Sequence, residues 1–254
     1  MLKYNNLLDE LFRFWNDGLD EASQMKFCKD GIMLKNDPSI DVDELWETSS
    51  RRIMLLLKDC PDGWGYDTRT MLIDKKNGEA CRNLKNAFTR KLAKILYGLY
   101  VNKGEISAKD VEANIDKVKE TWNTAPFAFI ETKKIAGDKD VSSEEMTNAL
   151  KKDKLFLAKE IDILRPTIIV CFDGENNIFN YVTQEYFMGV EPSYKNQYKY
   201  PDAKFNCCIY YYEQSNTVVI NSFHPSYVEK EWVFLERVLS PFRSLLNNYK
   251  PKNL

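Results

Sequence analysis

The sequence predicts an α/β fold: a three-layer αβα sandwich around a central, mostly parallel four-stranded sheet. Three observations carry this. Four short apolar runs, each bounded by turn residues, lie at Ile53–Leu57, Phe127–Ile130, Thr167–Phe172 and Val218–Ile220, and uninterrupted runs of this length are the pattern of strands buried on both faces. Between them lie helical patterns, and strand alternating with helix implies parallel pairing by crossover connections. No internal repeat, low-complexity run or linker divides the chain, so residues 1–254 are expected to form one domain.

In chain order, Leu7, Leu8, Leu11, Phe12 and Trp15 repeat at helical spacing and predict a helix over 5–16, followed by a loop region to about residue 50. Residues 1–50 thus read as a helical extension ahead of a core at 51–245. After the first run, Leu84, Phe88, Leu92, Ile95, Leu96 and Leu99 give one helix, and 101–120 is a charged helical segment. Leu150, Leu157, Ile161 and Leu164 give the helix before the third run, and Trp232, Leu235, Val238, Phe242 and Leu245 give a closing helix after the fourth. Residues 186–214 are rich in tyrosine and lysine and alternate well enough in their second half for an extra strand or hairpin.

With 44% hydrophobic residues in 254, the chain can bury a core without staples. The 36 basic and 38 acidic residues give a formal charge of −2, so any nucleic-acid binding must come from a local patch and not from overall charge. No apolar run is long enough to span a bilayer and the first residues do not read as a signal peptide; a soluble, cytoplasmic monomer is expected. The six cysteines, at 28, 60, 81, 171, 207 and 208, include no CxxC pair and have a single histidine to assist them. They read as reduced, mostly buried thiols, and no metal or other cofactor is expected.

In open parallel sheets, ligands bind beyond the carboxyl ends of the strands. The residues just after the four runs are therefore the candidates: Asp59, Asp62, Asp67 and Arg69; Glu131 and Lys134; Asp173 and Glu175; then His224 and Ser226. His224 is the only histidine in the chain and opens the string "HPSY".

A proline-containing acidic loop after the first strand, "ETKK" after the second, "ILRPTIIVCF" and "SFHPSY" together resemble the uracil-DNA glycosylase superfamily over about residues 51–245. The resemblance implies hydrolysis of the N-glycosidic bond of a flipped, deaminated or mismatched base in DNA repair. His224 would donate to the departing base, and Asp59, Asp62 or Asp67 would hold the attacking water, Asp59 and Asp67 being the leading choices. Glu131 stands where many members carry an asparagine that reads the base edge. An ionised carboxylate only accepts hydrogen bonds, so it suits a base presenting donors, whereas a protonated Glu131 would both donate and accept. Lys134 joins it as a binding residue. Trp64 or Phe172 would stack on the base, Tyr227 with Val228 would wedge the gap, and Ser226 with the start of the closing helix would hold a phosphate. The partner would be DNA, single-stranded or duplex, or a nucleotide. The cysteine spacing excludes the iron–sulfur cluster of some members. The alternatives are a member of the same fold that binds without catalysis, and an α/β protein in which HPSY is coincidence.

Overall fold

The computed structural model of the chain describes residues 3–61, 67–137, 141–199, 206–251 and 254. Its centre is one mixed sheet of seven strands, where the sequence predicted four. They are β1 (Gly31–Ile32), β2 (Ile53–Pro61), β3 (Phe127–Gly137), β4 (Ile168–Phe172), β5 (Tyr194–Tyr198), β6 (Cys207–Tyr212) and β7 (Thr217–Ser222), in the order β1-β3-β2-β4-β7-β6-β5. The four predicted runs form the parallel centre, β3-β2-β4-β7. The additions are antiparallel: β1 on the outer side of β3, and the β5–β6 hairpin beyond β7. The hairpin falls in the stretch 186–214 for which an extra strand or hairpin was expected; β1 escaped prediction because it is two residues long.

The central strands alternate strictly between two cores. Ile53, Leu55 and Leu57, Phe127 and Phe129, and Val218 and Ile220 face one layer, while Met54, Leu56, Ala128, Ile130 and Val219 face the other. Helices α5 (Ala87–Val101), α6 (Ala108–Ala113), α7 (Ile115–Thr124) and α10 (Glu231–Asn248) cover the first face, through Leu92, Val111, Trp122 and Phe242 among others. On the second face, α1 (Tyr4–Asp17), α3 (Val42–Thr48), α8 (Ser143–Leu164) and α9 (Asn177–Asn180) are anchored by Phe12, Trp46, Leu157 and Ile178. Two short helices, α2 (Glu21–Met25) and α4 (Gly78–Arg82), lie in the connections.

Local chemistry fixes the element ends. Ser142 and Glu145 form a reciprocal capping box at the start of α8, as Ser107 and Asp110 do for α6. The helix α8 ends at Arg165, which takes a left-handed conformation immediately before Pro166.

In the first fifty residues the helix predicted over 5–16 is present as α1, but the expected loop after it is not a plain loop. Besides α1 they contain α2, β1 and α3, and they are part of the core. Trp15 stacks on Phe156 of α8 at 4.9 Å, and fully buried Trp46 donates from Nε1 to the Leu164 carbonyl at 2.9 Å. Removing a tryptophan buried like this costs about 3–5 kcal/mol. The charged stretch 101–120 is helical as expected, in two pieces, α6 and α7. Among the described residues, no helix is long and apolar enough to cross a membrane.

Candidate functional site

The parallel centre brings the ends of β2, β3, β4 and β7 to one edge. Register decides which side chains meet there. Leu57 pairs with Glu131 and Asp59 with Lys133, so Asp59, Glu131 and Lys133 share the sheet face of the α5–α10 layer. Thr132 and Lys134 point to the opposite face.

Glu131 is 2% exposed, and among the described residues its Oε2 has no hydrogen-bond partner and no ion pair involves it. Burial, reinforced by Asp30 and Asp59, raises its pKa well above the usual carboxylate range. The protonated form is thereby favoured, and a protonated carboxyl can both donate and accept.

Asp59 is mostly buried, with Lys133 Nζ 3.7 Å from its Oδ2. Burial raises its pKa too, and the ammonium groups of Lys133 and Lys58 act against that. Gly137 leaves the room this pair needs, since a Cβ there would meet Lys133 Nζ at 2.6 Å.

His224 closes the site from β7. Burial, then the charges of Lys58 and Lys91, push its pKa down to about 4, so the imidazole is neutral at physiological pH. Its Nδ1 accepts from the Ser226 backbone N–H at 3.4 Å, which leaves the proton on Nε2. The loop is pinned from below: Lys91 of α5 donates to the carbonyls of Pro225 and Tyr227, both at 2.8 Å. Phe88, in the first turn of α5, lies 5.6 Å from the imidazole and 6.5 Å from Phe129. The Asn86 side chain caps that turn by accepting from the Phe88 N–H.

Several expectations are placed elsewhere. Asp67 accepts from Arg69 Nε at 2.8 Å and Nη2 at 2.7 Å, and Arg69 also binds Asp9 and the Asn5 carbonyl of α1. This binds Asp67 into a clasp with the first helix and, among the described residues, leaves Asp59 as the first-loop carboxylate on the Glu131 face. Lys134 is 1% exposed and lies between Asp30 and Glu160, beneath the rings of Phe12 and Trp15. A lysine so enclosed is a structural ion, not a ligand contact. Phe172 is wholly buried against Phe234, so it offers no face for stacking, and Phe88 is the aromatic ring beside His224. Asp173 caps the turn into α9 by accepting three backbone N–H groups. Asp62 and Trp64 lie outside the described residues.

Ser226 is exposed in the loop before α10, where the sequence suggested a phosphate site. The first turn of that helix already carries Glu231, paired with Arg90 and Lys94 at 3.4 and 3.1 Å. Beyond Ser226, Tyr227, Val228 and Trp232 are 47%, 96% and 49% exposed, an apolar group raised beside the site.

Sequence reasoning missed Phe88, Lys58, Lys91 and Asp30. Phe88 carried a signal, being the first aromatic of a helix whose start faces the carboxyl edge. Asp30 carried none.

Two open grooves lie away from this edge. One, of about 660 Å³, is lined by Arg51, Tyr100, Lys103 and Lys250 at the opposite end of the sheet, and one of about 410 Å³ runs between α8 and α9. Neither contains Asp59, Glu131 or His224.

No protein-family model matches the chain, and no curated protein is significantly similar to it. Fold and site together define an α/β protein with a histidine, a buried glutamic acid and an aspartate gathered at the carboxyl edge of its sheet.

Proposed function

We propose that the protein is a DNA glycosylase of the uracil-DNA glycosylase type, hydrolysing the N-glycosidic bond of a flipped base. The observation that carries this reading is the placing of His224, the one histidine in the chain, at the same sheet edge as Asp59 and Glu131, with its Nδ1 accepting from the Ser226 N–H and its Nε2 left to donate.

Breaking an N-glycosidic bond builds positive charge on the sugar and negative charge on the base, so a site needs an anion near the sugar and donors near the base. Asp59 supplies the anion. It stabilises the oxocarbenium ion and orients the water that attacks the anomeric carbon, taking the proton that water loses. The bonding electrons leave with the base, whose oxygen accepts a hydrogen bond from His224 Nε2–H. A neutral donor suits this task because the imidazole does not have to surrender its proton.

The Glu131 carboxyl reads the base edge by one donated and one accepted bond, and Phe88 offers a stacking face. Extrusion of a nucleotide costs a few kcal/mol of stacking. Val228, with Tyr227 behind it, is exposed where a wedge would replace the lost stack.

The test is abasic-site formation on labelled single-stranded and duplex oligonucleotides carrying uracil, hypoxanthine, xanthine or a mismatch. Cleavage by the wild type that falls by orders of magnitude in His224→Ala and Asp59→Asn is the expected result. No reaction with any substrate refutes the enzyme reading; retained binding would then favour a member of the fold that binds a strand or nucleotide without cleaving it.

A further inference from the structure

The segment ahead of the α/β core reaches the site through one side chain. Asp30 is fully buried just before β1, and its Oδ2 accepts from the Glu131 N–H at 2.8 Å and from Lys134 Nζ at 2.5 Å. It thereby grips the end of β3 at the backbone of the residue whose side chain faces Asp59. The same segment clasps the first loop, since the Asp9–Arg69–Asp67 chain and the Thr68 N–H to Lys29 carbonyl bond join α1 and residue 29 to it.

We propose that Asp30 is a positioning residue for Glu131, fixing the strand end through the Glu131 N–H and setting a second buried carboxyl group beside that of Glu131. The inference rests on the reading of Glu131 as the base-reading group, and it names the substrate class. A neutral carboxyl pairs with a base edge that offers a donor beside an acceptor, so the class is a base presenting such an edge.

The titratable and charged groups within electrostatic reach of Glu131, on both faces of the sheet, support this. Asp30 and Cys28 come from the leading segment, Asp59 and Cys60 from β2, and Lys134 from β3 itself. The one cation among them is bound to Asp30 and Glu160. Burial, with Asp30 and Asp59 near by, favours the protonated form of the Glu131 carboxyl, and Lys134 acts against it.

Asp30→Asn separates charge from geometry, because the amide oxygen still accepts from the Glu131 N–H. Two readouts are needed. One is the infrared carbonyl stretch of a protonated carboxylic acid, identified as Glu131 by its absence in Glu131→Gln. The other is the pH profile of base excision.

We expect the band in wild type at neutral pH, disappearing at a lower pH in Asp30→Asn, with the alkaline limb of activity moving by the same amount. At a pH on that limb, Asp30→Asn should be roughly tenfold slower than wild type. Glu131→Gln, which has no proton to lose, should show no such limb, and adding Asp30→Asn to it should change nothing further. No Glu131 band at neutral pH, or a band that disappears at the same pH in Asp30→Asn, overturns the proposal. If the band shifts as expected but no substrate is cleaved by any variant, the positioning role stands and the glycosylase reading falls. Should Asp30→Asn not fold, Asp30→Asn with Lys134→Met removes the buried pair together, and the shift should keep its sign and shrink.

Discussion

His224 offers a direct physical test, because the only histidine in the chain gives an imidazole resonance that needs no assignment. Its pKa is lowered from 6.5 to about 4, mainly by burial. At 1.36 kcal/mol per pH unit, protonating it in the folded protein costs about 3 kcal/mol more than in the unfolded chain. The sign follows by linkage. The folded state binds the proton less tightly, so the neutral form's contribution is complete above pH 6.5 and is lost as pH falls from 6.5 towards 4. Urea unfolding of wild type between pH 4 and 6.5 should therefore lose up to about 1.4 kcal/mol per pH unit more than His224→Asn, which does not titrate. NMR titration should place the imidazole midpoint near 4, and Lys58→Met and Lys91→Met should each raise it without reaching 6.5. A midpoint near 6.5 in wild type, or equal pH dependence in wild type and His224→Asn, would show that the ring is solvated and that the neutral-donor mechanism is wrong.

The two first-loop aspartates should part company. Asp59→Asn should lower excision by at least 100-fold with little change in melting, since loss of a base or stabilising anion is worth that much. Asp67→Asn strips Arg69 of its bidentate partner and should instead cost roughly 1–3 kcal/mol of stability, read by denaturant unfolding, with excision intact; the reverse pattern would place the chemistry on Asp67. Phe88→Leu should weaken binding of the free base or nucleoside by about 1–3 kcal/mol, measured calorimetrically, and unchanged affinity would remove the stacking role. Val228→Gly should slow excision from duplex more than from single strands and leave thermal stability unchanged, because the side chain is 96% exposed; equal effects on both strands would argue against a wedge.

What could be read from the sequence follows from what each residue is surrounded by. Ile53–Leu57 and Thr167–Phe172 announced themselves because both faces of those strands are buried, which forces an unbroken apolar run. The carboxyl-edge rule then pointed to Asp59, Glu131 and His224 with no knowledge of their contacts. Tertiary partners far away in sequence were out of reach. Lys134 looks like a surface cation until Asp30 and Glu160 enclose it, and charged residues are buried only when so paired. Phe88 reads as one more core residue of a helix; only the return of the chain at His224 makes it part of a site. Asp67 is a plausible catalytic aspartate until Arg69 is seen to hold both of its oxygens.

The clasp between the leading segment and the end of β3 also sets an order in time. Asp30 lies 101 residues before Glu131, and the apolar face of α1 packs on α8, with Trp15 against Phe156. Until those later residues have been synthesised, Phe12 and Trp15 have Phe27 to pack on but lack the α8 surface that completes their burial. At 5–20 residues per second, a growing chain leaves that face partly uncovered for roughly ten seconds. The bond from the Glu131 N–H to Asp30 can form only after that wait, so the grip on the end of β3 is a late event in synthesis.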